Sequence, residues 1–264
     1  MGSEGSVVPE PPAIEFAGPD EARLFFSGPP RRLTGSIPLI NTTETRQNLR
    51  SLAVEGGELL GSAQVPLREF PFTVRLSAGE QASVRGVIAL DSRTPPGSYE
   101  IQIKIGSKTV PATVHVTEVV DLIAHPGSLT ILAGSDSSYT RKVTVHNAGN
   151  VPLLSGTRCE TPVFDSFDPV TSMLVGLHKA DRKTTDTMVK AVLDEWADLQ
   201  AGTLVVHRDP LVLRPGQTEV VDLEFELPAE LKPLRHYRAN LQLYNAVITL
   251  EIYTSARIAN TRKK

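Results

Sequence analysis

The feature that most constrains this chain is a strand-like stretch that runs straight into a tight turn and occurs twice. In residues 143–150, Val143 and Val145 alternate with polar residues, and the sequence Asn147-Ala-Gly-Asn150 follows. Such alternation is typical of a half-buried strand, and asparagine and glycine are residues that end a strand in a turn. A weaker copy occupies residues 35–43, Gly-Ser-Ile-Pro-Leu-Ile-Asn-Thr-Thr. We therefore expect one β module written twice.

Two later pairs of landmarks repeat in the same order and locate an insertion. They are Leu76-Ser-Ala-Gly-Glu80 with Leu213-Arg-Pro-Gly-Gln217, and Tyr99 with Tyr237. Asn41 and Asn147 are 106 residues apart, whereas the glycines of the two turns are 137 apart and the tyrosines 138 apart. The second copy therefore carries about 31 extra residues, which fall between Pro152 and Leu213.

Alternation of apolar and polar residues is clearest towards the end of each copy. Residues 99–105 and 110–116 both alternate, and residues 221–227 and 241–252 repeat the pattern, with a turn near Asn245. Period-two patterning on both arms of a hairpin indicates an antiparallel sheet with one buried face. Pro38, within the predicted second strand, favours a sheet edge or a bulge there. Further strands are expected at residues 22–26, 33–40, 48–55, 70–76 and 139–146.

The insertion contains the one segment with a convincing helical period. From Thr187 to Gln200 apolar residues recur at helical spacing, and Gly202 is placed to end the helix. The stripe consists of Met188, Val192, Trp196 and Leu199, widened by Val189 and Leu193. Such a helix either packs on its own sheet or presents part of the stripe to another subunit. Met188 and Val192 are expected to be internal, and the predicted partner-binding residues are Trp196, Leu199, Lys179, Arg182 and Lys183.

The string at residues 143–151, followed by Leu-Arg-Pro-Gly-Gln217 and an alternating strand, resembles bacterial and archaeal immunoglobulin-like repeats. These include cell-adhesion-related domains and modules accessory to glycosidases, in which similar turns punctuate a seven-stranded sandwich. In the first copy Asn41-Thr-Thr replaces the Asn-x-Gly-Asn turn. The resemblance covers most of residues 20–254 and implies an all-β fold of two tandem immunoglobulin-like β-sandwiches, the second with a helical insertion. Its motifs are turn residues, so they inform the fold rather than the function.

The expected organisation follows from this pattern. It comprises a disordered arm at residues 1–18, one sandwich at 19–118, a second at 119–256 with its helical insertion at about 158–202, and a basic tail at 257–264. Because no Gly/Ser linker separates Val116 from Val119, a stiff connection is expected.

Charge and composition limit the cellular compartments and the classes of partner that are expected for this chain. A formal net charge of −3 favours neither nucleic acid nor an anionic membrane as a partner. No apolar run reaches the ~18–20 residues of a membrane span. The single cysteine, Cys159, excludes an intramolecular disulfide. The first residues lack the basic start and apolar core of a signal peptide, so we expect either a cytoplasmic protein or a mature extracellular fragment.

No catalytic, cofactor or metal motif accompanies the strand pattern, so no cofactor is expected. The six histidines form no His-x-His or His-x-x-x-His pair, which favours surface or interface histidines. Asp165, Asp168 and Glu160 gather carboxylates without the spacing of a calcium loop. Cys159 has only Arg158 as a basic neighbour, which favours a bystander thiol over a nucleophile. The sequence also lacks a Gly-x-Ser-x-Gly elbow, a phosphate-binding loop and a dinucleotide fingerprint.

Sandwiches with open strand edges and no recognisable chemistry predict a non-enzymatic structural or protein-interaction component of a larger assembly. Sheet edges are where a partner strand adds, because backbone hydrogen bonds supply affinity there. The inserted helix is expected to contribute to the same contacts. The alternative is a secreted-type binding module, either a carbohydrate-binding or adhesion domain or a two-domain chaperone for strand-donating subunits.

Overall fold

A computed structural model of the chain describes residues 13–19, 21–55, 69–166, 185–198 and 200–255. Within those residues the fold is almost entirely β, with eighteen strands, one α-helix and one turn of 3-10 helix at Pro30–Arg32. The prediction of an all-β fold is confirmed at this level. The described residues form two compact units, one up to Val119 together with Gly149–Val151, and one comprising Val120–Ala148 and the residues from Pro152 onward.

The first unit is built on one mixed sheet. Its strands are β1 (Ile14–Phe16), β2 (Leu24–Gly28), β3 (Leu33–Asn41), β4 (Gln47–Glu55), β5 (Glu69–Leu76), β6 (Gln81–Ile88), β7 (Gly97–Ile105) and β8 (Lys108–Val116). The order is β1-β3-β2-β8-β7-β4-β5, and β6 pairs with β3. Only β2 and β8 are parallel to each other. Alternate residues of β7 and β8 are buried, as their period-two pattern predicts.

Residues 14–16 form strand β1 rather than part of the predicted disordered arm. Ile14 and Phe16 are buried in the core, and β1 pairs antiparallel with Leu39–Asn41 of β3. A strand of three residues gives too short an alternation to be recognised from sequence, because its stability comes from pairing with a distant strand. Residues 1–12 of the predicted arm lie outside the described residues.

Pro38 lies in a strand that has neighbours on both sides, but at a position where neither strand of one side pairs with it, so it is in an edge-like position there. β6 accompanies β3 along one side, whereas β1 and β2 cover opposite ends of the other side. Pro38 falls between those two short pairings, and its carbonyl accepts a hydrogen bond from Ala17 N at 3.0 Å. Its nitrogen points to that same side, so the missing N–H costs no hydrogen bond with β6.

The second unit has an eight-stranded sheet and a two-stranded ribbon. Its strands are β9 (Leu122–His125), β10 (Ser128–Ala133), β11 (Ser138–Asn147), β12 (Leu153–Ser155), β13 (Arg158–Asp165), β14 (Gln200–His207), β15 (Leu211–Leu213), β16 (Thr218–Glu226), β17 (His236–Leu243) and β18 (Ala246–Thr254). The sheet order is β10-β18-β17-β13-β14-β16-β11-β9, and β12 pairs with β15. The two terminal strands of this order follow one another in the chain, so the sheet curls towards closure.

The inserted segment is shorter than predicted, because residues 158–165 belong to the sheet as β13. The helix α1 spans Thr185–Asp198, close to the predicted range. Gly202, predicted to end the helix, lies inside β14 with a φ of 109°. A Cβ added there would lie 2.6 Å from Cβ of Pro228, so close packing against Pro228 also requires glycine. β13 was not predicted because its polar residues and the register shift after Pro162 interrupt the apolar–polar alternation by which strands are recognised.

The Gly-Glu and Gly-Gln turns make matching hydrogen bonds in the two units. Ser77 N donates to the carboxylate of Glu80 at 2.6 Å, and Arg214 N donates to the side-chain oxygen of Gln217 at 3.0 Å. The backbone N–H of Glu80 and of Gln217 each return to the carbonyl three residues earlier. The glycine before each has a positive φ, 66° and 78°, which glycine adopts without steric cost.

The asparagines of the repeated motif are fully buried braces for these turns. Asn41 N donates to Glu80 O, and Asn147 N donates to Gln217 O, both at 3.0 Å. The side-chain amide of Asn147 donates to Leu213 O at 3.0 Å. The side-chain amide of Asn41 lies within hydrogen-bond distance of the carbonyls of Thr45, Leu76 and Ser77. The motif residue selected from sequence thus serves the fold in both units.

The last asparagine of the same motif belongs to the first unit. Asn150 is almost fully buried, and its amide donates to the carbonyls of Thr94 and Thr117 at 3.0 Å each. Its side-chain oxygen accepts from Val119 N at 2.7 Å. With Gly149 and Val151 it is the part of the chain that returns to the first unit after β11.

Each unit has a tyrosine near a strand start that is hydrogen-bonded to the preceding loop. Tyr99 Oη donates to the carbonyl of Pro95 at 2.8 Å. Tyr237 Oη accepts from Lys232 N, also at 2.8 Å, and burial raises the pKa of that phenol. Both bonds fix the loop that enters the strand.

Candidate functional site

The residues predicted from sequence to bind a partner are not described structurally. Leu199, Lys179, Arg182 and Lys183 lie outside the described residues, and Trp196 lies in α1 without a described side chain. In the described part of the helix, Val189 and Leu193 are both more than half exposed and Val192 is half-buried. The widened part of the predicted stripe is therefore open to solvent.

The carboxylates and histidines considered for metal binding make other contacts or stand apart. Within the described ranges no group of three or more His, Cys, Asp or Glu side chains is placed to hold a metal ion. Glu160 pairs with Arg158 at 2.7 Å, and His146 Nδ1 lies 2.9 Å from Thr218 Oγ1. Asp168 lies outside the described residues. No helix in the same ranges is both long and apolar enough to cross a membrane.

The outer face of the second unit's sheet combines exposed apolar groups with a charge cluster. One row across β10, β18 and β17 consists of Leu132, Tyr253 and His236, and the next row, continuing to β13, consists of Thr130, Glu251, Arg238 and Phe164. Leu132, Tyr253 and Phe164 are 72%, 44% and 45% exposed. We call these seven residues the outer patch.

Glu251 organises the polar centre of the outer patch. One of its carboxylate oxygens lies 2.5 Å from Nε2 of His236, and the other accepts from Nε and Nη2 of Arg238 at 2.9 and 2.8 Å. The imidazole of His236 also stacks on Tyr253, with ring centroids 4.3 Å apart. Burial acts to raise the pKa of Glu251, but the hydrogen bonds from Arg238 and His236 bring it below its ordinary value. The side chains of His236, Arg238, Glu251 and Tyr253 thus hold one another in place.

An apolar cavity of about 320 Å³ lies in the second unit. Its walls are aliphatic side chains from the inner faces of neighbouring strands and from the β12–β15 ribbon. They include Val143 and Val145 of β11, Val221 and Leu223 of β16, Leu153 of β12 and Leu213 of β15. The volume falls in the range of small-molecule sites, which are mostly apolar with a few placed polar groups.

Among the described residues that line this cavity, Arg208 is the one with a charged side chain. Its Nε donates to the carbonyl of Gly156 at 2.7 Å, which fixes the guanidinium plane. Burial lowers the pKa of the guanidinium, while the nearby Cys159 and Tyr244 oppose that shift. Arginine remains protonated at neutral pH in proteins, so the group still carries its positive charge. Its terminal nitrogens make no ion pair with any described carboxylate.

Tyr244, at the rim of the cavity, has a strained backbone. Its φ is 54°, in the turn between β17 and β18, whereas the corresponding turn between β7 and β8 places Gly106 at 64°. The left-handed conformation costs a non-glycine residue roughly 1–2 kcal/mol. Its hydroxyl accepts from Leu154 N at 2.7 Å and donates to the carbonyl of the same residue. The strained residue thus joins the hairpin turn to β12, and strain of this kind is concentrated at functional sites.

A groove on the sheet surface borders the cavity. β13 and β17 pair only through Val163–Asp165 of β13, and beyond that point Thr161 Oγ1 bonds to the carbonyl of Asn240 at 2.8 Å. The space where the two strands are unpaired has a volume of about 450 Å³. Gln242 lines both this groove and the cavity.

Reasoning from sequence missed both the outer patch and the cavity. The outer patch joins the β17–β18 hairpin to Leu132 and Phe164 on distant strands, and the cavity joins residues from several strands, so no single local spacing connects either set. The one local signal is Tyr244-Asn245, which stands in a two-residue hairpin turn where glycine is the usual residue at positive φ.

Comparison with known proteins identifies no family for the chain: no family model matches it, and no curated protein matches its sequence. Among solved structures it is similar to the CupB2 chaperone of Pseudomonas aeruginosa, at 10% identity over 89% of this chain and 99% of that one, with a TM-score of 0.25. It is also similar to extracellular domains 3–5 of Drosophila OTK (9% identity, 94% and 66%, TM-score 0.27). A further match is red sea bream transglutaminase (10% identity, 89% and 32%, TM-score 0.25). TM-scores at this level carry no conclusion about function.

Proposed function

We propose that the chain is a non-enzymatic protein-interaction component built from two immunoglobulin-like β-sandwiches. Three features support the sandwich: β2–β8 and β10–β18 pair in parallel, β1–β3 and β9–β11 pair antiparallel, and a tyrosine in each unit bonds back to the preceding loop. A tyrosine bonded in this way is characteristic of immunoglobulin-like sandwiches. The tandem arrangement follows the repeated turns described above.

The outer patch is the observation that carries the interaction role. Exposed apolar side chains on a sheet are unfavourable in water, and burying them against a partner is favourable. Contiguous apolar patches on a surface therefore mark interaction sites. Tyrosine, phenylalanine and arginine are enriched at interfaces, where they supply much of the binding energy. Arg238 lies between Phe164 and Glu251 in one row, so its aliphatic stem and charge are both presented at the surface. A folded protein partner of complementary shape fits this surface.

Sheet edges and α1 extend the proposed contact. β9 and β10 end the sheet order of the second unit, and an edge strand offers backbone groups to an added strand. Val189 and Leu193 lie four residues apart on one helix face and are exposed. We propose that the edge strands and α1 both contribute to the assembly. The helix would act together with Leu199, which follows it, and with Lys179, Arg182 and Lys183, which precede it.

Site-specific crosslinking tests the proposal. A photo-crosslinking residue in place of Leu132 should give one discrete adduct in the native host. The same residue in place of Val220, which is 62% exposed on β16, should not give that adduct. Tyr253→Ser should remove the adduct while changing the melting temperature little, since exposed substitutions usually alter stability by about 0.5 kcal/mol or less. Identical adducts from both positions, or none from Leu132, would contradict the role of the outer patch.

A carbohydrate-binding module is the second candidate, favoured by one observation. Tyr253 is 44% exposed although one face of its ring lies on His236, so it presents an aromatic surface on which a sugar ring stacks. Binding of the intact protein to immobilised glycans, lost in Tyr253→Ser, would replace the protein-partner proposal with this one.

A further inference from the structure

We propose that the cavity of the second unit binds a medium-chain alkyl carboxylate, with Arg208 as the charge partner of its head group. This site is separate from the outer patch, and its function does not depend on the interaction role proposed above.

The shape of the lining favours a linear apolar chain. Val143 and Val221 are partners across β11 and β16, and Val145 and Leu223 extend the same wall by one pleat in each direction. Alternate residues of a strand are about 6.6 Å apart, so the wall is elongated along the strands. The aliphatic part of the wall favours an apolar guest, because a water molecule against it finds few hydrogen-bond partners.

The charge of the lining favours one negative head group. Arg208 is positive, and the part of the lining that the structure describes contains neither Asp nor Glu. Because Nε of Arg208 is engaged by Gly156 O, the pair of terminal nitrogens is the part left for a ligand. Two parallel N–H donors match the two oxygens of a carboxylate. A doubly charged phosphate would leave one charge uncompensated in apolar surroundings, which is costly.

The polar rim is consistent with an entrance for such a ligand. Gln242, an exposed residue, lines both the cavity and the groove between β13 and β17, so the cavity has a polar, solvent-facing residue at its rim. Tyr244, bonded to both backbone groups of Leu154, holds the ribbon strand β12 at the rim. The hydroxyl is already paired, so its role is to position the rim.

Calorimetric titration of the full chain with decanoate tests the proposal, with decanol and decyl phosphate as comparison ligands. Decanoate should bind at least about tenfold more tightly than decanol, the size expected for charge-assisted hydrogen bonds to one arginine. Across a series of carboxylates, each added methylene should tighten binding about fourfold until the cavity is full, after which the affinity should level off.

Two matched pairs of variants locate the ligand. Arg208→Met should abolish the preference for decanoate over decanol, whereas Arg238→Met on the outer patch should leave it unchanged. Val221→Phe should fill the cavity and weaken decanoate binding at least about tenfold, whereas Val220→Phe, on the outer face of the same strand, should have no effect. Circular dichroism and the melting temperature show that each variant is folded.

Several outcomes would overturn the proposal. They are equal affinity for decanoate and decanol, tighter binding of decyl phosphate, an unchanged preference in a folded Arg208→Met protein, or no binding by the folded wild type at millimolar ligand. If Val221→Phe does not fold, the chain-length series alone decides occupancy, since an affinity independent of chain length excludes the cavity.

Discussion

Replacing Asn41 with alanine should remove the brace of the first unit at a large cost in stability. The amide of Asn41 donates to the carbonyls of Thr45, Leu76 and Ser77 at 2.7, 3.2 and 2.8 Å, and its oxygen accepts from Thr43 N at 3.0 Å. Four backbone groups therefore lose their side-chain partner in a site where Asn41 itself is fully buried. Because the amide has two N–H groups, the three carbonyls share two donors, and the side chain makes about three full hydrogen bonds to the backbone. At about 1 kcal/mol for each of them, the free energy of unfolding should fall by roughly 3 kcal/mol.

Urea unfolding followed by circular dichroism measures that loss, and hydrogen exchange of peptides from β3 and β5 assigns it to the first unit. Asn48→Ala is the matched control, because Asn48 is exposed on β4 and should cost about 0.5 kcal/mol or less. A loss below about 1 kcal/mol for Asn41→Ala would refute the brace, since it would mean that water satisfies the freed backbone groups.

A second substitution at the same position reports on the direction of these bonds. Asn41→Asp keeps the acceptor for Thr43 but turns the amide donor into an oxygen that faces three carbonyls. The surrounding carbonyls should raise the pKa of the new carboxyl above its unfolded value. The folded state then binds the proton more readily, so the stability of this variant should rise relative to wild type as the pH falls through the raised pKa. Stability that does not respond to pH would contradict the assigned donors.

Two further predictions concern the outer patch and the packing of the first unit. The pKa of Glu251 is lowered below 4.5, so its contribution to the free energy of unfolding is present at neutral pH and is lost as the pH falls below that value. The difference in urea midpoint between wild type and Glu251→Gln should therefore vanish at low pH. A Cβ at Gly35 would meet the carbonyl oxygen of Phe25 and would lie 2.6 Å from Cδ1 of Phe26, so Gly35→Ala should cost about 1–3 kcal/mol in thermal unfolding. Gly127→Ala, where no atom lies within 4 Å, is the control, and equal effects would contradict the packing argument.

Elements of the fold with strong local chemistry could be predicted from the sequence. The turns that begin at Asn41 and Asn147 and the hairpin of β7 and β8 depend on turn residues and on alternation between neighbours in the sequence, whereas the burial of the two asparagines did not follow from the sequence. β1 and β13 could not be predicted, because a three-residue strand and a strand with a register shift depend on partners elsewhere in the chain. Gly202 was assigned wrongly for another reason. Glycine with a positive φ occurs both at helix ends and at irregular positions in strands, so the residue type alone does not distinguish the two.

The outer patch and the cavity, for which binding is proposed, were less predictable than the fold, and for a related reason. The outer patch brings Leu132 beside Tyr253 through a parallel pairing of strands 121 positions apart. Alternation identifies which side chains of a strand are polar or apolar, but not which strand lies beside it. Arg208 carried no signal at all, since a charged residue between two strands is ordinarily solvated. Its position against an aliphatic cavity appears only when the strands are assembled.

The return of Gly149–Val151 to the first unit has a consequence for synthesis on the ribosome. The continuous part of that unit ends at Val119, but the bonds of Asn150 to Thr94, Thr117 and Val119 require another 31 residues. At 5–20 residues per second, the nascent chain waits about 2–6 s for them. During that interval the amide of Val119 lacks the acceptor that it has in the finished protein. The first unit is therefore completed only while the second is already being translated, which makes their maturation overlapping in time.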